Sequence, residues 1–548
     1  MKLYLTCLFL CIVFCIAGIA GIVRVPEDRP TIQAGIDAAV DGDTVLVAES
    51  TYFENINFKG KAIMVASYYV MDEDTNYINN TIIDGSQHSH PDSGSVVYFI
   101  SGEDTNSVLT GFTITGGSGT IGQFPGFQPT RDGGGVYEWY AGAKIENNRI
   151  IDNHITTTGN TPASSAGILA IGDVGDYHVI RDNEIRQNSV TAADSWVNGA
   201  VGLWSKETCL FEGNQLRNNV CYAPNGSAVG GGLIIDGSQD HPGPYIICNN
   251  IISDNELHSA SSGGAGIGIW QASPILTNNI ISGNLAIGGS RGGGGIYTNT
   301  SEPMLINNTI TNNNTSGYGG GIRVYGSQTN VTVMNSILWG NSAVSGSGQQ
   351  VSYAGAYVIV RFSDIEGGYD GTGNIDLNPQ FENQLGNTSP CLLASASPCI
   401  DAGDPDPAYN DPEDPANPGF ALWPAKGELR NDMGAYGGPG STVLEPIVGI
   451  EASPLPAEGV PRNFQLFQNY PNPFNPTTTI EFALPIAGFV SLKIYDVTGA
   501  AIATLVSEQL PAGSYQYQWD ARGLASGVYI YRMEAANFTQ SRKMLLIR

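Results

Sequence analysis

Three groups of side chains could do chemistry. The first is the segment DAGDPDPAYNDPEDPANPG, Asp401 to Gly419, where Asp404, Asp406, Asp411 and Asp414 crowd between prolines. Oxygen ligands at short spacing suit Ca²⁺, although no EF-hand pattern is present and a solvated acidic loop fits the same residues. The second is a sparse set of charges, Lys206, Asp236 and Arg323, each beside a short apolar run. A lysine or arginine of depressed pKa can act as a base, whereas glycoside hydrolysis needs two carboxylates at a set separation, which Asp236 alone does not supply. The third is a set of aromatic residues, Tyr137, Trp139, Trp204, Trp270, Tyr297 and Tyr325, each one to four residues beyond a cluster of small residues.

What positions these groups is a repeat. Asn, any residue, Ile or Leu, two more residues and Asn begins at Asn148, Asn183, Asn214, Asn250, Asn279 and Asn308, with a looser copy at Asn335-Ser336-Ile337. Interleaved with it are Gly133-Gly134-Gly135-Val136, Gly230-Gly231-Gly232-Leu233, Gly293-Gly294-Gly295-Ile296 and Gly319-Gly320-Gly321-Ile322. A third short apolar run, such as Tyr245-Ile246-Ile247, precedes each Asn. A period of ~30 residues marks a solenoid of stacked coils. The runs are too short and too β-branched for helices, so three strands per coil are expected. Asn tolerates the left-handed backbone of a sharp bend, and its amide can bond the next Asn along the stack.

Strand side chains alternate between the two faces. If Val136, Leu203, Leu233, Ile267, Ile296 and Ile322 point inward, the six aromatics point outward on one side of the stack. Flat rings on a charge-poor surface suit stacking against a polysaccharide chain. The segment IGQFPGFQPTRD before Gly133 is long enough to fold over the same face instead, and a protein interface is a third reading.

Composition bounds the class. The chain has 548 residues, 70 of them Gly, and a net charge of −27, which repels nucleic acid and suits an extracellular protein. Lys2 followed by the apolar stretch Leu3 to Ile16 and the small residues Gly18 and Ala20 reads as a signal peptide over residues 1–20. No membrane-spanning segment is expected after its cleavage. An uncleaved anchor is the rival, since the apolar run reaches Val23; the short basic end and the glycines weigh against it. Beyond the leader remain Cys209, Cys221, Cys248, Cys391 and Cys399, an odd number that gives no disulfide framework. Cys391 and Cys399 could pair, or could be buried as small apolar groups.

A stack needs a lid at its apolar end. Ile32, Ile36, Ala39 and Val40, within Thr31 to Val40, would share one face of a capping helix. The strings TIQAGIDAAVDGDTVLVAESTYFENINF, IIDG, LTGFTITGG, the GGGI…NNxI cadence and DMGAYGG resemble bacterial secreted right-handed parallel β-helix proteins of the pectate-lyase-like type. The likeness covers Ile22 to Gly438 and implies an all-β solenoid over residues 21–440. It implies no single activity, because that family mixes lyases, hydrolases, epimerases and proteins of no known reaction. The clustered aspartates of polygalacturonases and the paired arginines and Ca²⁺-binding aspartates of typical pectate lyases are not visible here.

From Phe464 the composition changes to alternating strands broken by Pro, Gly and Asn turns, which suits a small β-sandwich over residues 463–548. FQLFQNYPNPFNPTTTIEFALP and the closing stretch Lys543 to Arg548 resemble the type A C-terminal sorting domain of the type IX secretion system. That resemblance implies export by the type IX machinery, removal of the tail and attachment to the outer cell surface. The proline-bearing residues 441–462 read as a linker. The favoured expectation is a surface protein that binds extracellular polysaccharide on its aromatic face, with no cofactor other than Ca²⁺. A lyase or hydrolase acting on acidic glycans is the alternative, and a structural adhesin the third.

Overall fold

A computed structural model describes residues 20–123, 128–237, 241–288, 292–344, 348–382 and 390–444, and most of residues 465–546. The signal-peptide reading falls almost wholly outside the described residues, as do residues 445–462 of the linker and part of the Asn469–Pro476 motif. The chain divides into two compact units, Met1–Gly449 and Ile450–Arg548.

The first unit is a parallel β-solenoid. Its coils stack four columns of short strands into sheets of 10, 12, 11 and 12 strands, taken in the order the chain visits them within a coil. The first sheet holds the strands after the glycine clusters, such as Val136–Trp139, Val201–Ser205, Ile267–Trp270 and Ile322–Tyr325. The second holds the strands before each repeat Asn, such as Cys209–Glu212 and Tyr245–Cys248. The third carries the Ile or Leu of the repeat, as in Gln215–Arg217 and Ile251–Ser253. The fourth is the departure from the three-strand expectation: segments such as Val220–Val229 and Glu256–Gly263 pair into a column of their own. Their composition is mixed and polar, so their apolar period is weak in the sequence.

Repeat asparagines form two buried ladders. Asn214 receives the side-chain amide of Asn183 at 3.0 Å and gives its own to Asn250 at 3.2 Å. Five residues on, Asn219 bonds Asn255 in the same way at 2.9 Å. The left-handed backbone sits one residue earlier than expected: Asn147, Asp182, Gly213 and Asn249 carry φ of 56°, 55°, 65° and 57°, whereas the ladder asparagines after them do not. The same shift applies at the looser copy. Asn335 takes the bend, with φ of 50°, while Ser336 occupies the ladder and accepts from Asn308 N–H at 3.1 Å.

Val136, Leu203, Leu233, Ile267, Ile296 and Ile322 all face the core, none more than 1% exposed. A helix over Ile32–Ala38 closes one end, with Thr31 capping it through Ala34 N–H at 3.1 Å and Ile32 and Ile36 buried. The helix stops at Ala38, so Val40 does not share its face and is exposed. A strand, Ile22–Val25, precedes the helix and pairs with Thr44–Val47, so the first coil begins before the lid.

In the second unit, Gln465–Leu466, Thr477–Leu484 and Gly513–Asp520 form one antiparallel sheet. Gly488–Tyr495, Ala501–Leu510, Gly527–Ala535 and Phe538–Leu546 form another. Phe482 and Trp519 from the first and Tyr531 and Met533 from the second share one buried cluster, so the two sheets make a small sandwich.

Candidate functional site

Register on the first sheet sorts the aromatics into two neighbouring outward columns. One runs Tyr98, Tyr137, Leu169, Gly202 and Ile234, and continues through Gly268, Tyr297, Arg323 and Ser352. The other carries Trp139, Ile171 and Trp204, then Asp236, Trp270, Asn299, Tyr325 and Ala354. Coils about 4.8 Å apart repeat this pattern along the stack.

The rings are not equally open. Tyr137, Trp204 and Tyr297 are 5%, 7% and 1% exposed and pack with Leu169, Ile171, Val229 and Ile234 into an apolar layer outside the sheet. The indole of Trp204 lies over Gly202, and the ring of Tyr297 lies against Gly263 of the fourth sheet. The segment before Gly133 covers part of this face: Gly119–Gly122 pairs antiparallel with Thr130–Asp132, and Gly122 meets the Tyr137 hydroxyl and the Trp139 ring. Residues 124–127 of that segment lie outside the described residues. Trp139 stacks on Tyr137 with ring centres 5.5 Å apart, and Trp139 and Trp270 are partly exposed. Tyr325 is 49% exposed.

Of the three charges, Lys206 pairs with Asp173 at 2.9 Å, and Asp236 lies in register with Trp270. Arg323 is built differently. Its guanidinium sits over the rings of Tyr318 and Tyr325, 5.0 and 5.9 Å from their centres. Its Nη1 donates to Ser352 Oγ at 2.7 Å, and its Nε is buried without a hydrogen-bond partner. Among the described residues no carboxylate pairs with it. Burial pulls its pKa below the ordinary arginine value. Beside it a depression of about 400 Å³ is lined by Tyr318, Ser352 and Tyr353. Sequence reasoning missed Tyr318, Ser352 and Tyr353. Ser352 was within reach, since it follows Arg323 by 29 positions, one coil's length.

The aspartates of the proline-rich segment do not converge. Asp404, Asp406 and Asp414 each accept a backbone N–H two residues ahead, at 3.0, 3.0 and 2.9 Å. Asp411 instead turns inward and accepts from the N–H groups of Asp432 and Gly438, and burial first, then mutual repulsion, raises Asp432 above the usual carboxylate range. Among the described residues no group of three or more His, Cys, Asp or Glu side chains is arranged to hold a metal. Cys391 and Cys399 are free thiols, and Cys399 Sγ donates to Asp364 Oδ2 at 3.2 Å.

Residues 199–374 match the right-handed β-helix region, and residues 468–547 match the secretion system C-terminal sorting domain. The chain is a secreted right-handed β-helix protein with a sorting tail. The match over 199–374 spans Trp204, Asp236, Trp270, Tyr297, Arg323 and Tyr325, whereas Tyr137 and Trp139 lie together on a coil before it. The tail of this β-helix protein directs it to the type IX secretion machinery. No helix among the described residues is long and apolar enough to cross a membrane. No curated protein and no solved structure matches the chain.

Proposed function

We propose that the β-helix protein binds an acidic extracellular polysaccharide along the outer face of its first sheet, displayed at the cell surface after the sorting tail is removed. One observation carries the reading. Arg323 is a cation set between two tyrosine rings, hydrogen-bonded to a neutral hydroxyl and left without a carboxylate among the described residues. In a chain of net charge −27 such a group attracts a ligand carboxylate or sulfate that the rest of the surface repels. Tyr325 offers a half-exposed ring beside it, and Trp270, two coils back in the same column, offers another. A polymer lying along the stack would meet one coil about every 4.8 Å. Trp139 lies farther along the same column, while Tyr137, Trp204 and Tyr297 support the layer from beneath.

Affinity electrophoresis on polygalacturonate, alginate and a neutral glucan tests the reading. Retardation is expected on at least one acidic polymer, and Arg323→Ala or Tyr325→Ala should weaken it tenfold or more. No retardation on either acidic polymer sinks the proposal. Release of unsaturated products in an Arg323-dependent manner would move the assignment to an eliminating lyase.

A further inference from the structure

A second cleft lies on the outer face of the third sheet, which the second and fourth sheets separate from the first. It has a volume of about 700 Å³ and opens between the helical turns Tyr69–Asp72 and Asn76–Asn80 and the segment Thr442–Leu444. Gln215 and Ile251, neighbours in register, form its floor. One wall is the column of bend residues Asn147, Asp182, Gly213 and Asn249, one per coil. The left-handed backbone there selects Asn, Asp and Gly. The fold requirement therefore lines the wall with short side chains rich in oxygen. Gly213 leaves a gap in that column, and Asp182 Oδ1 leans into it, 2.3 Å from where a Cβ would stand. Glu212 borders the same gap, and Tyr69 supplies an aromatic ring, its hydroxyl donating to Asn147 Oδ1 at 3.3 Å.

The lining carries two carboxylates among side-chain amides and hydroxyls. Asn249 Oδ1 is shielded from solvent and has no hydrogen-bond partner. Asp182 and Glu212 present carboxylates. Arg149, the cation among the described lining residues, is engaged by Glu184 Oε2 at 2.8 Å and by Asn79. An acidic ligand would face the two carboxylates, and an apolar ligand would leave the acceptors unpaired, at a cost in binding. A ligand rich in uncharged hydroxyl donors, with a flat face for Tyr69, satisfies both conditions. The volume falls within the ~300–1,000 Å³ of small-ligand sites.

We propose that this cleft binds a short uncharged saccharide, its ring face on Tyr69 and its hydroxyls donating to Asp182 and Glu212. This goes beyond the first-sheet reading and stands without it, because the two sites lie on different faces and take ligands of different charge. Calorimetric titration of the full-length protein with cellotriose, chitotriose, mannotriose and maltotriose, and separately with CaCl₂, tests the proposal. Saturable binding of at least one trisaccharide is expected, weakened at least tenfold by Asp182→Ala and by Tyr69→Ala and unchanged in Arg323→Ala. Asp182 is exposed, and Asp182→Asn, which tolerates the same backbone, replaces the alanine variant if the bend is disturbed. Three results would each overturn the site: no saturable binding of any of the four sugars, equal affinity in the Asp182 and Tyr69 variants, or Asp182-dependent heat with CaCl₂ and none with sugar.

Discussion

The indole of Trp204 lies against Gly202, two residues before it on the same strand, so close that a Cβ there would stand 2.1 Å from Cζ3 of the ring. Gly202 is therefore a slot. It lets one coil's ring cross from its own column into the neighbouring one and join the layer formed with Leu169, Ile171 and Ile234.

Gly202→Ala should expel the ring. Overpacking of this kind costs about 1–3 kcal/mol. Tryptophan emission should shift to the red and the thermal midpoint should fall. An unchanged spectrum would mean that the slot is not required.

The Asn ladder makes a sharper demand. Asn250 gives its amide to Phe211 O, Cys248 O and Asn279 Oδ1, each at 2.9 Å, and receives Asn214 N–H at 2.8 Å. Asn250→Ala leaves several of these groups buried and unpaired, for an expected loss of about 3 kcal/mol or more. The exposed Asn225→Ala should change stability by less than about 0.5 kcal/mol. Chemical denaturation of both variants checks the contrast, and equal losses would refute it.

Asp132 gives the protein a pH signature. Burial pushes its pKa up to about 7, opposed by the hydroxyl of Thr130. The folded chain thus holds a proton that an unfolded aspartate, with a pKa of about 3.9, has released. That stabilisation is full below the unfolded value and is lost as the pH rises through about 7. Melting curves between pH 4 and pH 8 should show a declining midpoint, and Asp132→Asn should flatten part of the decline. The same slope in both proteins would remove Asp132 from the account.

Arg323 and lysine are not equivalent between two rings, because the planar guanidinium stacks while an ammonium does not. Arg323→Lys should keep the charge and its salt dependence, yet bind acidic polymer several-fold more weakly than the parent. Retardation measured at 50 and 500 mM NaCl separates the two contributions. Full affinity in Arg323→Lys would assign the effect to charge alone.

Legibility in the sequence followed periodicity. Ile267, Ile296 and Ile322 recur in phase after glycines, so their inward direction and the shared side of Trp204, Trp270 and Tyr325 could be read without coordinates. The fourth sheet could not, because segments such as Ser189–Ala192 and Asn314–Thr315 are short and polar. Nor could the burial of Tyr297, which depends on Gly263 approaching from the fourth sheet. The third-sheet cleft escaped for a related reason. Tyr69, Asp182 and Leu444 meet only because the chain returns to the solenoid's flank after completing it.

The ladder spacing also makes the molecule modular. Asn250, Asn279 and Asn308 are separated by 29 residues each; Asn250 and Asn279 each give backbone N–H and side-chain amide to the next Asn Oδ1, and Asn308 meets Ser336 Oγ through its N–H. Excising residues 279–307 would bring Asn308 beneath Asn250 with both partners restored, and duplicating them would insert one more rung. Such edits slide Arg323 along the axis by about 4.8 Å per rung. A lineage carrying this architecture can therefore retune the spacing of the proposed ligand-binding positions by whole steps, at the cost of refitting the flank where Asn278 and Asn307 bond Ala435, Gly437, Asn431 and Asp432.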